Sequence, residues 1–158
     1  MSKHETPMTR WYWRTVNKRQ GLLIEEFPAV KRDGSTGKNK RHIDGVIVLG
    51  EKAGRRGPRK GDRELVKGKR VIVIQSKARR LGMGLMGQVL FSMRILEKEC
   101  GAKVVGSIAV CHEEDVLMSR LLKEEDGRCE VLVVPQPEKI SDSFERPVVD
   151  KTRRRRRG

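Results

Sequence analysis

The chain has 158 residues and 18.1 kDa, enough for one domain with a core of its own and too little for two full domains. Thirty-six Lys and Arg against 21 Asp and Glu leave a formal net charge of +15, and charged residues make up 36% of the chain, as many as the hydrophobic ones. That composition lies above the disordered regime, has no run near the ~18 apolar residues of a membrane span, and points to a polyanionic partner, with nucleic acid the leading candidate.

Residues 6–19 (TPMTRWYWRTVNKR) predict a helix, with Thr6 as N-cap and Pro7 at the first helical position. Trp11, Tyr12 and Trp13, three of the six aromatics, read as anchors of this helix to the core, with base stacking beside Arg10 and Arg14 as the alternative. Gly21 to Val30 is an apolar strand interrupted by Glu25 and Glu26 and stopped by Pro28. After a turn-rich basic connection over 31–40, Arg41 to Leu49 returns as a second strand, so the two form a hairpin. Residues 50–69 are Gly-rich and basic and read as a mobile loop without a packed core of its own.

Arg70 to Lys77 (RVIVIQSK) has the Val/Ile density of a buried central strand. Leu85, Val89, Met93, Leu96 and Cys100 recur at helical spacing and predict a helix over 85–99, stopped by Gly101. A buried strand over 104–110, a helix over 113–125 with acids in its first turn, and a short strand over 131–134 follow. Pro135 and Pro137 close the domain, which spans 1–137. Residues 138–158 read as a loop and an Arg-rich tail, disordered without a partner. The order α-β-β-β-α-β-α-β implies an α/β fold, a mixed sheet of four to five strands flanked by helices.

The charge is segregated. Residues 1–100 carry 24 basic and 10 acidic side chains, residues 101–149 carry 6 and 10, and the last nine carry 6 and 1. A positive block of that kind surrounds a site for a polyanion, and the acidic third faces away from it. Cys100, Cys111 and Cys129 are an odd number without C-x-x-C spacing, which argues against a disulfide framework or a zinc ribbon. The start MSKHETPMTR has no signal-peptide apolar stretch, so a cytoplasmic or nucleoid-associated protein is expected, not a secreted one.

Three apolar strands carry polar groups that burial penalises: Glu25 or Glu26 in the first, Asp44 in the second, Gln75 and Lys77 in the third. Alternation puts Gln75 and Lys77 on one face with Val71 and Val73, and Ile72, Ile74 and Ser76 on the other. Hairpin pairing brings Asp44 beside them. Glu25 shares a face with Leu23 and Phe27, and Glu26 with Ile24, so alternation leaves the choice between them open. Asp44, Glu25 or Glu26, and the Gln75 carbonyl are oxygen donors of the kind Mg²⁺ takes, with Mn²⁺ as a substitute. A metal there would polarise a phosphodiester, with Lys77 placed to act on the attacking water or on the charge growing at the phosphate.

The run of an early acid (Glu25 or Glu26), Ile43-Asp44-Gly45 and Val73-Ile74-Gln75-Ser76-Lys77 resembles the PD-(D/E)xK nuclease superfamily, and Gln88 on the next helix matches a glutamine of its exonuclease-like branch. The resemblance covers roughly residues 10–111. It implies a restriction-endonuclease-like fold, a four-stranded mixed sheet flanked by helices, and Mg²⁺-dependent cleavage of phosphodiester bonds. It assigns metal binding to Asp44, to the third-strand position and often to the early Glu, and a catalytic role to Lys77. Ile43 stands where the motif name has Pro, and Gln75 where an acid is usual, so the site carries one negative charge fewer. The expected activity is that of a metal-dependent endo- or exodeoxyribonuclease, with a binding protein that keeps the nuclease fold as the alternative. DNA over RNA rests on the resemblance alone.

Gly82-Met83-Gly84-Leu85-Met86-Gly87 matches G-x-G-x-x-G, but Ala78 to Leu81 separate it from the strand and no second half follows, so no dinucleotide cofactor is expected. A tight turn into the helix against the sheet ranks first, and backbone contact with a phosphate beside Arg79 and Arg80 second. Nucleic-acid contacts are expected from Arg79, Arg80, Gln88 and His42, and from Arg55, Arg56, Arg59 and Lys60 in the basic loop. His112 reads as part of an ordinary helix start. One site in so short a chain makes a homodimer the expected form for handling two strands.

Overall fold

The computed structural model of the chain describes residues 5–30 and 41–134. The 31–40 connection and the segment after Val134, tail included, lie outside the described residues.

Helix α1 (Glu5–Trp11) runs directly into a π-helical turn (Tyr12–Val16). Thr6 is already inside the helix rather than capping it, and Pro7 falls in the first turn, where a missing N–H costs nothing. Tyr12 and Trp13 are buried, and Trp13 Nε1 donates to Gly21 O at 3.3 Å, so these aromatics anchor the helix. Strand β1 (Leu22–Val30) pairs antiparallel with β2 (Arg41–Val48), as the hairpin reading requires. Pro28 does not stop β1 but lies within it.

The 50–69 segment differs from expectation. It carries a short strand, β3 (Gly54–Arg56), parallel to β1, and one helical turn, α2 (Asp62–Leu65). Val66 is fully buried beneath them, and Asp62, also buried, pairs with Arg56 at 2.8 Å. Composition hid this, because a three-residue strand and a four-residue helix offer no periodicity to detect.

Strand β4 (Arg70–Ser76), helix α3 (Met83–Cys100), strand β5 (Lys103–Cys111), helix α4 (Val116–Glu125) and strand β6 (Cys129–Val133) complete the fold. Asp115 caps α4 by accepting the Met118 N–H at 3.1 Å, so the acids precede this helix instead of filling its first turn. The six strands form one mixed sheet in the order β3-β1-β2-β4-β5-β6, one strand more than expected at most. β2 and β4 are antiparallel, while β5 and β6 lie parallel to β4.

The two sheet faces hold separate cores. Val71, Val73, Leu85, Val89, Met93 and Leu96 pack on the α3 side, and Met8, Tyr12, Trp13, Leu23, Ile47 and Ile74 on the α1 side. Each fully buried aliphatic side chain contributes about 1.5–3 kcal/mol. Gly45 is required for the second core, since a Cβ there would lie 2.7 Å from Thr9 Cγ2 and 3.1 Å from Leu23 Cδ1. A side chain at 45 would lift α1 off the sheet.

Candidate functional site

β2 and β4 pair from Val48–Val71 to Gly45–Ile74 and then part. Asp44 and Gln75 are the first residues beyond the ladder, and side chains replace the backbone bonds lost there. Asp44 Oδ2 accepts the Ser76 N–H at 2.9 Å, and the Asp44 N–H donates to Gln75 Oε1 at 3.4 Å. Gln75 is buried, and its Nε2 donates to Ser92 Oγ of α3 at 2.6 Å. Because a backbone N–H can only donate, the amide carbonyl is the end that faces Asp44. On the opposite face the Ser76 hydroxyl meets Thr9 Oγ1 of α1 at 2.9 Å. The edge is thus fastened to a helix on each side.

The two early glutamates separate. Glu25 lies opposite Gly45, on the α1 face, where Arg10 grips it through Nε at 2.7 Å and Nη2 at 3.1 Å, and Arg55 of β3 lies 3.8 Å away. Glu26 falls between the bridged pairs Glu25–Gly45 and Phe27–Ile43, level with Asp44, with φ of 55°. Left-handed backbone costs a non-glycine residue on the order of 1–2 kcal/mol. It also shifts the phase of the strand: Ile24, Phe27 and Ala29 all reach the α3-side core, which strict alternation forbids. Of the two, Glu25 is held away by α1, and Glu26 keeps the backbone position beside Asp44.

Lys77 is exposed just past β4, with its N–H on Val110 O at 2.9 Å. A cleft of about 370 Å³ opens between the start of β2 and α3, bringing Arg41, His42, Gln88 and the 67%-exposed ring of Phe91 together with Gln75 and Ser92. Arg79 and Arg80 follow Lys77 beside the end of β5, Arg79 O accepting the His112 N–H at 3.1 Å and Arg80 pairing with Glu113 at 3.0 Å. Of the four basic residues expected from the 50–69 segment, Arg56 is committed to Asp62, whose Oδ2 also accepts the Arg59 N–H at 2.7 Å. Arg55 flanks Glu25, and Lys60 is exposed.

Several residues of this region are illegible in the sequence. Ser92 and Thr9 are polar residues on helix faces that otherwise read as core, which is the one signal that singles them out. Arg10, Arg14, Arg19 and Arg55 gather around Glu25 and the turn after α1. Burial and then the fields of Arg19, Arg55 and Arg10 lower the pKa of Arg14, so this flank is strongly positive. Lys18 and Arg19 both adopt left-handed backbone, with φ of 54° and 57°. Strain of this kind, next to a π-helical turn, concentrates at functional surfaces.

The three cysteines are free and buried. Burial raises the pKa of all three thiols, Cys129 to about 11, which disfavours the thiolate that nucleophilic chemistry needs. Among the described residues no group of three or more His, Cys, Asp or Glu is arranged to hold a metal ion, and no helix is long and apolar enough to cross a membrane. No protein-family model matches the chain, and comparisons with curated proteins and with solved structures give no significant match.

Proposed function

We propose that this chain is a Mg²⁺-dependent nuclease acting on DNA, built on the restriction-endonuclease-like plan and working as a homodimer. The observation that carries the reading is the meeting of Asp44 and Gln75 where β2 and β4 part, with Lys77 two residues further along β4's path. The path α1-β1-β2-β4-α3-β5 supports it as well, with β1, β2 and β4 antiparallel neighbours and β5 parallel to β4.

The donors suit a hard cation. The Asp44 carboxylate and Gln75 Oε1 are oxygens at one point of the sheet, and the Asp44 N–H, which can only donate, requires the amide oxygen, not its nitrogen, on that side. Glu26, level with Asp44, is the nearest further carboxylate in register. When bound, Mg²⁺ supplies Lewis acidity and lowers the pKa of its water. The chain's own residues do the rest: Lys77, exposed two residues after Gln75, orients the water or neutralises charge on the phosphate. Arg79, Arg80 and the α1–β3 flank hold the backbone.

A second reading, a nucleic-acid-binding protein without cleavage, is favoured by one observation: both polar ends of the Gln75 amide already have partners inside the protein. The test is incubation with supercoiled, linear, single-stranded and branched DNA, with Mg²⁺, with Mn²⁺ and with chelator, beside Asp44→Ala and Lys77→Ala. The nuclease reading expects chelator-sensitive cleavage that each substitution lowers by about 100-fold or more. Cleavage surviving both substitutions removes the site assignment. Binding without cleavage under either metal establishes the second reading.

A further inference from the structure

A second crevice lies at the carboxyl ends of the parallel strands β4 and β5, where open α/β sheets bind their ligands. It encloses about 500 Å³ and is lined by Ala78, Arg79, Arg80, His112 and Glu113. The chain after β4 runs alongside the end of β5: the His112 N–H donates to Arg79 O at 3.1 Å and the Leu81 N–H to Glu113 O at 2.9 Å. The imidazole of His112 is buried, with 7% of the residue exposed. Its Nδ1 lies 3.1 Å from Val134 O, on the β6 side, and because a carbonyl only accepts, Nδ1 carries the proton. Nε2, on the other edge of the ring, is buried with no hydrogen-bond partner among the described residues. Buried polar atoms are nearly always satisfied, so one left without a partner on a residue that lines a crevice marks a place where a ligand completes the bonding.

The surroundings say which ligand. Arg79 is exposed, and Arg80, also exposed, pairs with Glu113, so the rim carries one guanidinium beyond its internal ion pair. Two residues on, Gly82 is the N-cap of α3 with no side-chain hydrogen bond to the helix, and a Cβ at Gly82, Gly84 or Gly87 would meet nothing within 4 Å. The tight-packing explanation of these glycines therefore fails, and the open backbone suits close approach of an anion at a helix N-terminus.

We propose that this crevice binds a phosphate oxyanion, with Arg79 supplying charge and His112 Nε2 sharing one proton with a phosphate oxygen. The assignment rests on the reading of the chain as a nucleic-acid-binding protein and adds a second contact beside Lys77. A terminal phosphate monoester can bring the shared proton itself as its monoanion, whereas an internal phosphodiester has none and binds to the imidazolium. The two sources of phosphate are thus separable.

The experiment is NMR of the imidazoles in ¹⁵N-labelled full-length protein, which has three histidines, with His112 assigned from its loss in His112→Gln. Inorganic phosphate, a 5′-phosphorylated and a 5′-hydroxyl single-stranded oligonucleotide are titrated separately, without metal and against chloride at equal ionic strength. A saturable shift of the His112 resonances with phosphate, weakened about fivefold in Arg79→Gln, is the expected result. A response confined to the 5′-phosphorylated strand assigns a terminal phosphate, and equal responses to both strands assign the backbone. A His112 signal that none of the three moves, or that chloride moves equally, overturns the proposal. The readout needs no cleavage, so it stands or falls apart from the nuclease reading. Arg79→Gln, an exposed side chain, keeps the test open even if His112→Gln fails to fold.

Discussion

Arg10 closes a two-pronged ion pair on Glu25, through Nε at 2.7 Å and Nη2 at 3.1 Å, and so ties α1 to the middle of β1. The pair explains why one of two adjacent glutamates is unavailable to the Asp44 edge. Glu25 is nearly buried and Arg10 about one-third exposed, so removing the carboxylate strands a half-desolvated guanidinium. Glu25→Gln is expected to lower stability by about 1–2 kcal/mol while leaving DNA cleavage within about threefold of wild type. Glu26→Gln is expected to lower cleavage by more than Glu25→Gln does. Denaturant melts and cleavage rates on the same two variants check it, and loss of cleavage in Glu25→Gln alone would exchange the two roles.

Ser92 is the partner that anchors the far end of the Gln75 amide. Ser92→Ala leaves Nε2 buried and unsatisfied, at a cost of about 1–3 kcal/mol. Gln75→Glu adds the missing charge and turns the hydrogen bond round, Ser92 then donating. In metal-free buffer that variant is expected to melt below wild type, and Mg²⁺ is expected to raise its Tm by more than it raises that of wild type. Thermal melts with and without Mg²⁺ decide it. An equal Mg²⁺ effect on both proteins would place the cation elsewhere.

Acid stability rests on a different cluster. Arg128 reaches Asp126 at 2.8 Å and Glu97 at 2.6 Å, joining the α4–β6 turn to α3. Its hydrogen bonds hold the Asp126 pKa at about 2, below the usual 3.8. A depressed carboxyl stabilises the fold above its unfolded pKa and loses that contribution as pH falls, here between about 4 and 2. The amount is on the order of 1–2 kcal/mol. Asp126→Asn should flatten the Tm profile in that window and lower Tm at neutral pH. A variant whose profile stays parallel to wild type down to pH 2 would show that another group carries the acid transition.

The α1–β3 flank makes a salt-dependence prediction. If Arg14, Arg19 and Arg55 each contact a phosphate, the triple change to Gln lowers the slope of log K against log salt by roughly 2–3 units on duplex DNA. Removing residues 151–158 lowers it further without touching chemistry. Fluorescence anisotropy at 50 to 300 mM salt measures both, and an unchanged slope in the triple variant would take the flank out of the footprint.

The local pattern of the chain was enough to place β1, β2, β4, β5 and α3, because RVIVIQS has the Val/Ile density of a central strand and apolar residues recur every three or four positions from Leu85 to Cys100. It also singled out Asp44, Gln75 and Lys77, since polar groups inside apolar strands stand out without any knowledge of their partners. It did not reveal β3, Ser92, Thr9 or the unpartnered nitrogen of His112, whose meaning lies in contacts made across the fold. Thr9 meets Ser76 across 67 residues and Gln75 meets Ser92 across 17. Nor did alternation separate Glu25 from Glu26, because one left-handed residue shifts the phase of the strand and a helix docked on one face claims the neighbour. Periodicity is a property of a segment and can be read from it. Which polar group remains for a ligand depends on what every other group has already bonded, and only the folded chain decides that.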